Sequence, residues 1–105
     1  MNSKYFCDMS ALGPKQRERH QQLALKLRRA VLEFKELPDG YSARLPSDQE
    51  MVLAAAEFMS LERLCCPFFR LGLEIESDQG PLWLKVEGED GIKPFIRAEF
   101  SIPAE

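Results

Sequence analysis

Two adjacent cysteines and a nearby glutamate are the residues of this chain whose types and spacing could do chemistry. Cys65 and Cys66 follow Glu62 by three and four positions. On a helical wheel with about 100° per residue, all three fall within the apolar arc of a helix that persists until Pro67. Side chains at positions i, i+3 and i+4 meet on a helix surface. The pattern therefore predicts a carboxylate and two thiols on one buried face.

The Glu62 carboxylate needs a reason to lie there. Burying a charge costs several kcal/mol unless the group is paired, hydrogen-bonded, protonated or bound to a metal. Three interpretations follow. Glu62 pairs with an arginine or caps backbone groups at the sheet edge, the helix ends or rotates early and leaves Glu62 half-exposed, or Glu62 is a ligand or general base beside Cys65 and Cys66.

The cysteines also allow two interpretations. A free cysteine packs as a small hydrophobic residue, and the C-terminal end of a helix disfavours a thiolate. A soft metal ion reverses that preference, because it deprotonates the thiols that bind it. Adjacent thiols suit linear or trigonal coordination of Cu(I), Hg(II) or As(III), with Cys7 as a third donor. The predicted metal ligands are therefore Cys65, Cys66, Glu62 and Cys7.

His20 is the single histidine of the chain and an additional candidate ligand. Zinc requires a fourth donor beside three thiols, which His20 or Glu62 could supply. A lone histidine on an apolar helix stripe is more often a hydrogen-bonded core residue, so both interpretations stay open. The sequence does not determine whether Cys7 and His20 approach Cys65.

The cysteine spacing and the chain termini give expectations about location and redox state. No signal-peptide pattern precedes the first helix, and the apolar run at 52–56 is far shorter than a membrane span. We therefore expect a cytoplasmic, reducing location and no structural disulfide. The C-x-x-C motif is absent, so neither a thioredoxin-type centre nor a zinc ribbon is indicated.

Composition predicts one globular domain spanning residues 1–105. The chain is 45% hydrophobic and 30% charged, with a net charge of −3 that is too small to predict nucleic-acid or membrane binding. Residues 1–35 hold eight Lys or Arg against three acids, and residues 36–105 hold six against fourteen. We interpret the basic excess as a solvated helix face balanced by acids elsewhere, rather than as a surface for polyanions.

Apolar periodicity and turn residues predict an α+β two-layer sandwich in the order β-α-β-β-α-β-β-α. Adjacent hairpins imply a mostly antiparallel sheet of four or five strands with the helices on one face. The first six elements match a ferredoxin-like order, of which the fold could be a variant. Ser47 and Glu50 form a capping box for the second helix. The predicted elements are strands at 4–8, 33–37, 41–45, 69–75 and 82–86, and helices at 14–31, 48–66 and 91–101.

The segment Glu62-Arg63-Leu64-Cys65-Cys66-Pro67-Phe68 resembles small single-domain bacterial proteins that carry an E-R-x-C-C-P-F segment. The Leu37-Pro38-Asp39-Gly40-Tyr41 turn, and Cys7-Asp8 followed by Ala11-Leu12, resemble the same group. This resemblance spans nearly the whole chain and implies no particular activity. The vicinal cysteines are also similar to those of bacterial mercury-handling proteins. That second likeness covers two residues, favours a metal site, and carries over no catalytic residue.

Three functions are consistent with these residues. The best supported is a small binding protein that takes a soft metal or thiophilic oxyanion on Cys65 and Cys66. The alternative is an interaction module without chemistry, such as a homodimer, since Leu53 and Leu64 fall opposite the apolar face of the second helix. The third is a thiol enzyme, for which no oxyanion-hole or substrate-binding signature is present. We assign no catalytic residue.

Overall fold

Three helices and two β-hairpins follow one another in the computed structural model, which describes residues 5–103. A single turn of 3-10 helix precedes them. None of the helices in this described part is long and apolar enough to cross a membrane. The elements are the 3-10 turn Met9–Ala11, α1 (Pro14–Ala30), β1 (Glu33–Leu37), β2 (Gly40–Leu45), α2 (Gln49–Cys65), β3 (Arg70–Ile75), β4 (Leu82–Glu87) and α3 (Lys93–Glu99).

The four strands form one antiparallel sheet in the order β1-β2-β4-β3. Alternate side chains of the two central strands, such as Tyr41, Leu84 and Val86, enter the core that the sheet shares with α1, α2 and α3. The predicted α+β sandwich is confirmed. The predicted strands within residues 33–87 are also confirmed, with ends that differ by one residue.

The predicted first strand is wrong. Residues 5–8 form no strand, and residue 4 lies outside the described residues. Tyr5 instead packs its ring against Phe68 and Phe95, at centroid distances of 5.2 and 5.6 Å. Asp8 caps the 3-10 turn through a 3.0 Å bond from the Ser10 backbone N–H. Tertiary contacts therefore override the local β propensity. The described chain therefore begins α-β-β, without the first strand of the predicted order.

Helix α2 starts and ends where local chemistry requires it. Its N-cap is Asp48, whose carboxylate accepts a 2.9 Å bond from the Met51 backbone N–H. The predicted cap, Ser47, instead donates its hydroxyl to the carbonyl of Gln79. The helix ends at Cys65, because the residue before Pro67 is disfavoured in helical conformation.

The first hairpin depends on a close approach at Gly40. A Cβ at this position would lie 2.1 Å from the Val86 carbonyl oxygen and 2.7 Å from the Cα of Glu87. Those atoms belong to β4, the strand paired with β2. Only glycine therefore allows the two central strands to pair at this register.

Trp83 lies on the opposite face of the sheet from the helices. Its neighbours in β4, Leu82 and Leu84, belong to the core, and side chains alternate along a strand. Trp83 is only 7% exposed, and the Lys35 ammonium lies over its ring, 4.6 Å from the centroid. The indole N–H donates to Glu76 at 3.3 Å.

Candidate functional site

The C-terminal end of α2 and the segment before the 3-10 turn meet through a disulfide between Cys7 and Cys66. Their Cα atoms lie 4.7 Å apart. The Asp8 backbone N–H donates a 2.8 Å bond to the Cys65 carbonyl, which satisfies one of the last acceptors of the helix. The expectation of no disulfide was wrong, because the sequence did not indicate that Cys7 reaches the end of α2.

Cys65 is a free thiol in the centre of this cluster and is completely buried. Its sulfur lies 3.6 Å from Cys66 Sγ, 3.7 Å from Glu62 Oε1 and 4.0 Å from His20 Nε2. Helical spacing places it one turn after Glu62 on the same face, as predicted. The structure thus gathers the sulfur atoms of all three cysteines around one carboxylate.

Glu62 is 2% exposed, which confirms that it belongs to the buried face of α2. Its partner is a histidine and not an arginine: Oε1 lies 2.7 Å from His20 Nε2. The interpretation that the helix leaves Glu62 half-exposed is wrong. His20 comes from α1 and stacks on Phe58, with ring centroids 5.2 Å apart. A buried carboxylate paired in this way is anchored in one position.

Two pKa shifts describe the electrostatics of the cluster. Burial, with the Glu62 carboxylate as second cause, raises the pKa of the Cys65 thiol to about 11. Burial also raises the pKa of Glu99, and Glu62 raises it further while His20 lowers it. The cluster therefore disfavours additional negative charge. Cys65 is protonated at neutral pH and is a poor nucleophile, which counts against the thiol-enzyme interpretation.

The predicted ligands form two groups that share Glu62. One ligand atom each from Cys7, Glu62 and Cys66 lie within 4.8 Å of one another, and the same holds for His20, Glu62 and Cys65. All five predicted residues are therefore brought together. The first group competes with the disulfide, because its two sulfurs are bonded to each other in this structure.

A cleft of about 320 Å³ opens beside the cluster. The disulfide sulfurs belong to residues that line it, together with His20 and Glu62, whereas Cys65 lies behind this lining. Sequence reasoning missed Glu99 of α3, which lines the same cleft. No local pattern could have indicated it, since its position depends on how α3 packs against β2, far away in the sequence.

Two leucines on the outer side of α2 are exposed, as predicted. Leu53 is 59% exposed and Leu64 is 37% exposed. A homodimer formed through them stays a prediction.

Comparisons of this chain with family models, curated proteins and solved structures find no match. The resemblance of the E-R-x-C-C-P-F segment therefore stays a prediction. Any function has to be argued from the chemistry of the site itself.

Proposed function

We propose that this protein, in its reduced form, binds one soft metal ion or thiophilic oxyanion on Cys65 and Cys66. Cys7, Glu62 and His20 complete the set of donors. The single observation that carries the proposal is the pair of ligand groups that share the buried Glu62 carboxylate. Five residues from three separate parts of the chain converge there.

The donor set favours a thiophilic ion. Reduction of the disulfide gives three thiols in one cluster, which suits the trigonal coordination of As(III) or Hg(II) and the low coordination numbers of Cu(I). Zinc is the second choice, with His20 and Glu62 as its nitrogen and oxygen donors. Each thiol loses its proton when it binds the ion. The positive charge of the ion then offsets the negative charges of the thiolates and of the Glu62 carboxylate.

The burial of the cluster supports binding rather than catalysis. Cys65 is completely buried and Cys66 is 1% exposed, so neither presents a free face to a substrate. An ion that enters from the cleft would be enclosed by protein donors, without an open coordination position. Closed sites of this kind retain their metal.

Native mass spectrometry of the reduced protein under anaerobic conditions tests the proposal. We expect one arsenic per chain with arsenite and one mercury per chain with Hg(II). Replacing both thiols of the helix end, Cys65→Ser with Cys66→Ser, should abolish the adducts. Glu62→Gln should weaken zinc binding, whereas Glu57→Gln, which changes an exposed carboxylate of the same helix, should not.

Far-UV circular dichroism of each variant establishes that it is folded. A reduced wild-type protein that remains at its bare mass throughout the titration would contradict the proposal. Unchanged stoichiometry in the folded double variant would contradict it as well, because the ion would then be bound elsewhere.

A further inference from the structure

The disulfide removes two of the three thiols on which the proposed site depends. Cys7 and Cys66 are bonded to each other, and sulfur in a disulfide is not available as a thiolate ligand. Of the two groups of donors found within residues 5–103, the oxidised protein keeps the one formed by His20, Glu62 and Cys65. That group has one sulfur, which is too few for the trigonal thiolate coordination of As(III).

The disulfide is accessible from one side. Cys7 and Cys66 both line the cleft of about 320 Å³. Cys66 is 1% exposed, whereas Cys7 is half-buried, so the sulfur of Cys7 is the one that an incoming thiol can reach. A cleft of this size is large enough for a small thiol.

We propose that the Cys7–Cys66 disulfide is a redox gate, which a low-molecular-weight thiol opens through the cleft and which controls access of the soft ion to Cys65 and Cys66. This inference rests on the proposed function. It adds the regulation of the site: the oxidised protein is closed to As(III), and the reduced protein is open.

The reduction balances with two external thiols. The first, as its thiolate, attacks Cys7 Sγ; the S–S electron pair leaves on Cys66 Sγ, which takes up a proton. A second external thiolate attacks the external sulfur of the mixed disulfide, and Cys7 leaves as a thiolate that is then protonated. The two external thiols become one external disulfide. The protein gains two electrons and two protons.

The site keeps its shape when the bond opens. The segment that carries Cys7 is also held by the 2.8 Å bond from the Asp8 N–H to the Cys65 carbonyl. Just beyond it, Leu12 is 1% exposed and anchors the 3-10 turn in the core. Reduction therefore releases a thiol that stays beside its former partner, and all three sulfurs remain available to one ion.

Glutathione redox buffers with arsenite as the probe test the gate. The folded protein is equilibrated with oxidised or reduced glutathione, freed of the buffer under anaerobic conditions, and titrated with arsenite in a native mass spectrometer. Thiol counting on the same samples measures the disulfide. We expect one free thiol and no arsenic after oxidation, and three thiols and one arsenic after reduction. Reoxidation should restore the first state.

Cys7→Ser is the control, because it cannot form the disulfide. We expect its two remaining thiols to bind arsenite more weakly than the reduced wild type, and equally after either glutathione treatment. Oxidised wild-type protein that binds arsenite as tightly as reduced protein would overturn the gate and leave the proposed function standing. A disulfide that stays closed in excess reduced glutathione, in a protein that binds arsenite once fully reduced by a phosphine, would also overturn only the gate. Three free thiols without any bound arsenic would overturn the proposed function, and the gate with it.

Discussion

At the scale of single residues, the buried pair of Glu62 and His20 determines how the site is built. The carboxylate is 2% exposed and has the imidazole as its 2.7 Å partner. Breaking such a pair by removing one member leaves an uncompensated buried charge. The pair therefore has a structural role, whatever ligand the cluster takes.

We expect His20→Leu to lower the free energy of unfolding by about 3 kcal/mol, since Glu62 then lacks its partner. Adding Glu62→Leu should recover much of that loss, because the unpaired carboxylate is gone. Urea titrations followed by far-UV circular dichroism measure both variants and the Glu62→Leu single variant, which closes the cycle. A double variant less stable than His20→Leu alone would contradict this account of Glu62.

The raised pKa of Cys65 gives a second prediction at this scale. An unfolded thiol ionises near pH 8.5, whereas the folded thiol ionises near pH 11. Below about pH 8.5 the thiol is protonated in both the folded and the unfolded state. Between the unfolded and the folded pKa only the unfolded state releases its proton, so the free energy of unfolding falls as pH rises. We therefore expect the stability difference between wild type and Cys65→Ala to shrink from pH 8 to pH 10.5. A constant difference in urea titrations at those pH values would show that burial leaves the thiol unaffected.

At the scale of elements, the hairpin of β1 and β2 depends on Gly40. We expect Gly40→Ala to destabilise the fold by more than about 2 kcal/mol, because the new Cβ meets the backbone of β4. Gly72→Ala is the matched change in β3, where the nearest atom is Lys85 Cβ at 3.7 Å. There we expect a shift within about 0.5 kcal/mol, since no contact is violated. Thermal unfolding of the two variants provides the comparison, and equal losses would contradict it.

The elements that the sequence could predict are those that depend on local signals. Helix α2 and the two hairpins follow from periodicity and turn residues, and so does the position of Glu62 on the buried face. The predicted strand at 4–8 is wrong over its described residues, because Cys7 and Asp8 are held at the end of α2 instead of at a sheet edge. The partner of Glu62 and the disulfide were not predictable either, since both depend on contacts between elements far apart in the chain.

At the scale of the whole molecule, the disulfide joins residues separated by 59 positions. A disulfide constrains the unfolded chain and typically contributes about 2–4 kcal/mol to stability. We expect reduction of the wild type to lower its free energy of unfolding by this amount. Cys7→Ser should have the reduced protein's stability with or without reductant. Urea midpoints that are the same for oxidised and reduced wild type would contradict the prediction.

The uneven charge along the chain is partly balanced where α1 lies against α2. Arg19 forms a 2.7 Å ion pair with Glu57, and Lys26 pairs with Glu50. Exposed pairs of this kind contribute little stability. They do neutralise part of the basic face of α1, which agrees with its interpretation as a solvated surface.

The shielded position of Trp83 on the far side of the sheet has a spectroscopic consequence. It is the only tryptophan of the chain, and its indole is enclosed by Lys35 and Glu76, with the whole sheet between it and the sulfur atoms. Its emission therefore reports on the loss of the sheet in urea and is insensitive to oxidation or ion binding behind the other face. Trp83 fluorescence is thus an intrinsic probe of unfolding. If the emission stays constant during a redox or arsenite titration, the fold stays intact while the sulfur atoms react.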